Sequence, residues 1–152
     1  PEWNVRANPA ACRAAFTAPW DMTITPLDTC GIVTLEGDRY AAVRDSDNPL
    51  ARAVIENYRH WAAGRLGNPE QADTKSSILF DTVAVYLAFS EALLDIETLP
   101  LTVNDAGYTL IDPAGKPVRC AVRWRDLDAF KDLLVARLTG APDPSPGEPH
   151  DP

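Results

Sequence analysis

Apolar residues recur along the chain with two spacings, one typical of helices and the other typical of strands. The pair Asn48-Pro49 marks the start of the clearest helix, because Asn caps a helix well and Pro fits its first turn. The residues that follow at helical spacing predict one apolar stripe, formed by Leu50, Val54, Tyr58 and Trp61. Asn8-Pro9 repeats the start signal and predicts an earlier helix that runs through Ala15.

Two further helices are predicted on either side of a region of strands. Residues 64–76 are polar and rich in turn formers, so we expect an exposed loop that precedes a third helix. Asp81 lies near the start of that helix, and its expected buried face consists of Val83, Ala84, Leu87, Ala88 and Leu94. Asp126 is expected to cap a final helix. The expected buried face of this helix consists of Leu127, Phe130, Leu134 and Leu138.

Short runs rich in β-branched and apolar residues predict strands at 22–25, 101–103, 108–111 and 118–124. Segment 104–107 reads Asn-Asp-Ala-Gly and joins two of these runs, which is a hairpin signature with Gly supplying a positive φ. Residues 29–37 are compatible with a strand or with an irregular helical turn. Together the elements predict an α/β or α+β class with more helix than strand, a small β-hairpin and a closing C-terminal helix.

The composition predicts one folded domain and argues against two classes of partner. The chain has 152 residues, of which 45% are hydrophobic, and this is enough to build a core. Its formal net charge of -8 argues against binding to nucleic-acid phosphates or to an anionic membrane surface. We expect residues 1–139 to fold and the Pro-rich tail at 140–152 to be disordered.

The expected location of the chain is the cytoplasm. No apolar run approaches the ~20 residues that cross a bilayer, and the first residues do not form a signal peptide. Cys12, Cys30 and Cys120 lack a C-x-x-C spacing. These cysteines therefore predict reduced, buried thiols rather than a zinc site.

The candidate chemistry of the chain depends on carboxylates. No glycine-rich phosphate loop, H-E-x-x-H motif or Ser-His-Asp set is present, and His60 lies in the middle of a helix, where a surface position is expected. In Glu2-Trp3-Asn4 a carboxylate and an amide flank an aromatic ring. If this segment is extended, Glu2 and Asn4 lie on one side and can bond sugar hydroxyls while the ring of Trp3 packs on the sugar. The alternative is that both polar residues are simply solvated near a chain end.

Phe80-Asp81 is the second candidate position. An aspartate at a helix N-terminus usually serves as a cap and as a partner of the helix dipole. The alternative is that Asp81 points into a cleft and ligates a hard cation, which prefers oxygen ligands. Phe80 could then stack on a planar ligand.

Four segments of the chain resemble the inosine-uridine type nucleoside hydrolases. Glu2-Trp3-Asn4 and the following Asn8-Pro9-Ala10-Ala11 resemble the E-F-N triplet and D-P-E-A-A turn of that family. The run at 25–28 resembles a strand end that reads P-L-D, and 79–85 resembles the family segment H-D-P-L-A. The closing stretch 124–134 resembles the last helix of the family. The resemblance covers residues 2–139 and rests on the order and spacing of these segments.

The resemblance implies a role for each matched site residue. Glu2 and Asn4 are expected to hold the ribose hydroxyls, with Trp3 in place of the usual Phe. Asp81 is expected to be a calcium ligand. Phe80 stands where many members carry a His acid, so it is expected to contact the substrate by stacking on the base, which weakly favours purines. No catalytic residue is assigned, because the general-base aspartate and the D-x-D-x-G-x-D-D signature of the family have no match here.

These expectations define one enzyme hypothesis and one alternative. Residues 1–139 would be the C-terminal half of a nucleoside hydrolase domain with a Rossmann-type α/β fold. That enzyme would use Ca²⁺ to hydrolyse the N-glycosidic bond of ribonucleosides, with the missing N-terminal half as partner and a homo-oligomer as the full-length form. The isolated chain would be inactive. The alternative is a non-catalytic fragment or interaction module without nucleosidase activity.

Overall fold

The computed structural model describes residues 1–143, and the rest of the predicted disordered tail, 144–152, lies outside the described residues. Along the chain the elements are α1 (Trp3–Ala7), α2 (Pro9–Thr17), β1 (Thr23–Ile24), α3 (Leu27–Cys30), α4 (Gly37–Arg44), α5 (Pro49–Trp61), a π-helical segment (Ala62–Leu66), α6 (Gln71–Thr74), α7 (Phe80–Leu87), β2 (Leu94–Val103), β3 (Thr109–Ile111), β4 (Lys116–Trp124) and α8 (Leu127–Thr139). This mixed architecture confirms the predicted α/β class, the hairpin and the closing helix. None of the helices in the described residues combines the length and the hydropathy needed to cross a bilayer.

The chain divides into two compact units. The first unit contains Pro1–Gly31 and Phe80–Arg125, and the second contains Ile32–Leu79 and the segment that starts at Asp126. Each unit is therefore built from two separate stretches of sequence. The strands fall in the first unit, whereas the second unit is helical.

The sheet of the first unit has the strand order β1-β4-β2-β3. β1 is parallel to β4, and β2 is antiparallel to both of its neighbours. The long β2–β4 ladder runs from the pair Leu94–Trp124 to the pair Leu101–Lys116. The buried side chains of Leu101, Val118 and Cys120 form its core, against which Phe16, Met22, Ile24, Leu99 and Val122 pack.

The predicted hairpin is confirmed between β2 and β3, and its turn packs against α1. Gly107 has a φ of 80°, which an L side chain rarely adopts, and its N–H donates to the Asn104 carbonyl at 3.1 Å. A Cβ atom at Gly107 would lie 2.6 Å from the Cα atom of Arg6. Glycine is therefore required here both by the turn and by the close approach of the two backbones.

The second unit packs α4, α5 and α8 around a compact core. The buried residues of this core are Leu35, Tyr40, Val43, Ala51 and Ile55. On the surface, the Arg39 guanidinium joins α4 to α8 through Asp128 at 2.5 Å and Asp132 at 2.6 Å. The guanidinium lowers the pKa of Asp132 below its usual value.

The apolar stripe predicted for the helix after Asn48-Pro49 is not its buried face. The helix itself is confirmed as α5, with the Asn48 side chain accepting from the Leu50 N–H at 2.9 Å. However, Leu50, Val54 and Trp61 are exposed, and the buried positions are Ala51 and Ile55. Ala51 and Ile55 pack in the core with Leu35, Tyr40 and Val43, so tertiary packing determines which face is covered.

The third predicted helix is shorter than expected, and its predicted face is wrong in part. α7 ends at Leu87, where the Ala88 and Phe89 N–H groups bond three residues back and tighten the last turn. Leu94 is not helical but begins β2, where it pairs with Trp124. Ala84 and Ala88 are exposed, and Tyr86 is buried together with Val83.

Two further predictions need correction. The segment 64–76, expected to be a loop, contains the end of the π-helical segment and all of α6. In α8 the N-cap is confirmed, because the Asp126 side chain accepts from the Ala129 N–H at 2.8 Å. Its buried residues are Phe130, Leu133 and Ala136, whereas the other predicted face positions are only half-buried.

Candidate functional site

A cavity of about 690 Å³ lies within the first unit. This is within the usual range for small-molecule sites, roughly 300–1,000 Å³. The start of α1, the face of α2, β1, the start of α3, one residue of α7 and the hairpin all contribute to its lining. The polar residues that line it include Glu2, Asn4, Asn8, Thr23, Thr25, Asp28, Tyr108 and Thr109.

Glu2 and Asn4 line this same cavity. The condition of an extended segment is not met beyond Glu2, because α1 begins at Trp3 and Glu2 is its N-cap residue. The Glu2 side chain makes no capping hydrogen bond and is half-buried. Both residues reach the cavity because they lie within one turn of the start of α1. Trp3, between them, is 74% exposed and is not among the lining residues.

Phe80 and Asp81 form the first turn of α7 and are both exposed. Neither lines the cavity, but Ala84, three residues after Asp81, does. Residues three apart on a helix lie on the same face. Asp81 therefore lies on the same face of α7 as Ala84, but neither Asp81 nor Phe80 lines the cavity.

Burial and nearby negative charge raise the pKa values of two cysteine thiols in the first unit. Burial raises the pKa of the Cys30 thiol, and the negative charges of Glu2 and Asp81 act in the same direction. Burial also raises the pKa of the Cys12 thiol, again with a contribution from Glu2. All three cysteines are free thiols; Cys30 and Cys120 are buried, as predicted, whereas Cys12 is only half-buried.

α3 is held in place by two hydrogen bonds to β4. The buried Thr29 hydroxyl donates to the Ala121 carbonyl at 2.6 Å, and the Trp124 indole N–H donates to the Thr29 carbonyl at 2.9 Å. These contacts fix the helix whose first turn carries Asp28. The Asp28 side chain is exposed and lines the cavity.

Two lining residues, Asp28 and Tyr108, had no predicted role. Asp28 ends the P-L-D run that carries part of the family resemblance, so this motif was the available signal. Tyr108 lies far from Glu2 in the sequence, directly after a hairpin turn. No local pattern predicts that the hairpin places it beside α1.

The described residues contain no cluster of side chains typical of a metal site. Between residues 1 and 143, no group of three or more His, Cys, Asp or Glu side chains is arranged to hold an ion. Calcium takes 6–8 oxygen ligands. The ligand role of Asp81 is therefore not tested by the described residues.

Comparison with known proteins supports the fold. No protein-family model matches the chain, and no curated protein sequence matches it. A solved structure of a plant nucleoside hydrolase (PpNRh1) is similar with a TM-score of 0.71 and 21% sequence identity, over 91% of this chain and 47% of that chain. The chain thus has the fold found in about half the length of that hydrolase.

Proposed function

We propose that this chain forms the ribose-binding side of a nucleoside hydrolase active site. The observation that carries the proposal is that Glu2 and Asn4 line one cavity in a fold similar to part of a plant nucleoside hydrolase. Both are hydrogen-bonding groups suited to sugar hydroxyls. The substrate class is the ribonucleosides, and the bond to be cleaved is the N-glycosidic bond.

The proposed reaction sets the task of these two residues. The bond between the ribose C1′ atom and the base nitrogen breaks, the oxygen of a water bonds to C1′, and the base leaves with a proton. Positive charge develops on the ribose as the bond breaks. The Glu2 carboxylate and the Asn4 amide hold the ribose hydroxyls, and the negative charge of Glu2 favours the cation-like sugar.

The remaining catalytic groups are proposed to come from the part of the fold outside this chain. Asp81 would supply one calcium ligand, and the other ligands and the water-activating aspartate would be provided by the missing half. Val85 and Phe89 support a partner of this kind, because these apolar side chains are 64% and 62% exposed in the first unit. A partner that covers them would remove this apolar surface from water, which is favourable.

The same exposed residues also support the alternative that the chain is a non-catalytic interaction module. The two hypotheses differ in what the cavity binds. A ribose-binding cavity predicts saturable binding of ribose and inosine that depends on Glu2. An interaction module predicts no such binding.

Titration of the chain with ribose and with inosine, followed by NMR, tests the proposal. We expect Glu2→Gln to weaken both ligands at least tenfold, because hydrogen bonds to charged groups contribute about 1.5–3 kcal/mol. Glu56→Gln is the matched control, since Glu56 is an exposed helical carboxylate of the second unit. We also expect no turnover of inosine, adenosine or uridine by the chain with excess calcium. Absence of binding, or equal affinities in the two variants, would contradict the proposal.

A further inference from the structure

The β2–β3 hairpin brings Tyr108 to the same cavity as Glu2 and Asn4. The Tyr108 side chain is about half exposed, with a relative accessibility of 47%. Aromatic rings stack on other planar groups, so an accessible aromatic residue that lines a cavity is suited to a planar ligand. Neither Trp3 nor Phe80, the aromatic residues expected to contact substrate, lines the cavity.

Three contacts fix the backbone of the hairpin beside the cavity. Gly107 lies directly against the Arg6 backbone of α1. The Asp105 carboxylate accepts from the Arg13 guanidinium of α2 at 2.6 Å. The Tyr108 N–H donates to the Asn104 side-chain oxygen at 3.0 Å. The position of the Tyr108 backbone is thus set relative to α1, which carries Glu2 and Asn4.

A nucleoside has one polar part and one planar part, and the cavity offers a match for each. Glu2 and Asn4 are suited to the sugar hydroxyls, so the base has to lie against another part of the wall. Phe16 also lines the cavity, but it is half-buried and packs against the sheet core. Tyr108 is the exposed aromatic residue among those that line the cavity together with the polar pair.

We infer that Tyr108 is the residue that recognises the base, by stacking its ring on the heterocycle; this inference rests on the proposed function. The contact would add affinity for a nucleoside over free ribose, because ribose has no planar group to stack. A purine presents more ring surface than a pyrimidine, so purine nucleosides gain more from the contact. Tyr108 is thereby a specificity-determining residue and leaves the binding of the sugar to Glu2 and Asn4.

The experiment measures the ratio of the dissociation constants for ribose and inosine in the full 152-residue chain. We expect Tyr108→Ala to weaken inosine binding about tenfold, because loss of aromatic stacking on a base lowers affinity by about that factor. Ribose binding should be unchanged. Tyr108→Leu keeps apolar bulk and protects the fold, and it should lose most of the same discrimination. Tyr108→Phe should retain it. Trp20→Ala is the control, because Trp20 is an exposed aromatic of the first unit that does not line the cavity.

Each other outcome overturns a distinct statement. If the wild-type chain binds neither ligand, the proposed function fails and the inference fails with it. If both ligands bind in a Glu2-dependent way but Tyr108→Ala and Tyr108→Leu weaken ribose and inosine equally, only the inference is overturned. Discrimination lost in a Trp3→Ala variant but kept in Tyr108→Leu would assign the base contact to Trp3 and would likewise overturn it.

Discussion

The two compact units of the chain differ in the polar groups that line their cavities. In the second unit Tyr40 is only 2% exposed, and its hydroxyl donates to the Ala72 carbonyl at 2.5 Å. The buried Ser76 hydroxyl donates to the Ser77 carbonyl and accepts from the Leu35 N–H. In the first unit, Glu2, Asn4 and Asp28 instead line a cavity; Asn4 and Asp28 are exposed, and Glu2 is half-buried.

The cavities of the two units also differ in volume and in the polarity of their lining residues. The second unit contains a cavity of only about 90 Å³, lined mainly by apolar side chains such as Leu35, Val43 and Ile55. The cavity of the first unit has a volume of about 690 Å³, and carboxylates, amides and two aromatic residues line it. Buried, paired polar groups stabilise a fold, whereas accessible polar groups around a cavity are free to contact a ligand. We therefore expect substitutions of the cavity-lining polar residues of the first unit to lower ligand binding or turnover. Substitutions of the buried polar residues of the second unit should instead lower the free energy of unfolding.

The largest effect on turnover is expected for Asp81→Asn. The variant is tested in an enzyme in which the proposed other half of the fold is supplied, either fused upstream or as a separate chain. If Asp81 is a calcium ligand, removal of its charge should lower turnover of inosine by orders of magnitude and raise the calcium concentration required. Folding should be retained, because Asn is tolerated about as well as Asp near a helix start. Initial rates measured across a calcium series provide the test.

Asp38→Asn is the matched control for this prediction. Asp38 is a carboxylate in the first turn of α4, in the second unit, and it should have no effect on turnover. If the rates and calcium requirements of the two variants are the same, Asp81 is a helix-start residue and not a ligand. The proposed role of the first unit would then depend on Glu2 and Asn4 alone.

The sequence predicted where helices start far better than which faces they bury. Asn8-Pro9, Asn48-Pro49 and Asp126 each mark a helix start that the structure confirms, because the capping bond is formed within a few residues. The prediction of the buried face of α5 was wrong by about one position. Ala51 and Ile55 are covered, whereas most of the predicted stripe that starts at Leu50 is exposed. Leu94 was assigned to a helix because its pairing with Trp124 depends on residues distant in sequence.

The candidate site was predictable only where a short motif carried it. Glu2 and Asn4 were identified from a triplet, and the structure brings both to one cavity, although on a helix rather than on an extended segment. Tyr108 was assigned only to a strand, because its place beside α1 follows from the packing of Gly107 on Arg6. The ligand role of Asp81 and the stacking role of Phe80 stay predictions.

A smaller effect is expected in the second unit at alkaline pH. Burial raises the pKa of Tyr40 from 10.0 to about 12. Between these values the unfolded chain releases the proton of Tyr40 while the folded chain keeps it, so stability falls as pH rises from 10 to 12 and is unaffected below 10. The loss should be on the order of 2 kcal/mol. Urea unfolding from pH 8 to 12 measures it, and Tyr40→Phe should remove this part of the pH dependence; equal slopes in both proteins would contradict the assignment.

The smallest effect compares the two Asn-Pro helix starts, one in each unit. Asn8 and Asn48 both accept a backbone N–H through the side-chain oxygen at 2.9 Å, from Ala11 and Leu50 respectively. Asn48 also donates from its amide nitrogen to the Thr139 carbonyl at 3.2 Å, which joins α5 to the end of α8. Asn8 lines the cavity instead.

We therefore expect Asn8→Ala to cost about 1 kcal/mol, the usual cost of losing a cap. Asn48→Ala should cost about 0.5–1.5 kcal/mol more, because a second hydrogen bond is lost. Amide hydrogen exchange of α2 and α5 resolves the two effects, since exchange reports opening locally. Substitution by Asp provides the control, because it keeps the cap but not the amide donor: Asn8→Asp should be nearly silent, whereas Asn48→Asp should keep only part of the stability. Equal costs for the two Ala variants would mean that the bond to Thr139 adds nothing, and that the second unit does not depend more on its paired polar groups than the first.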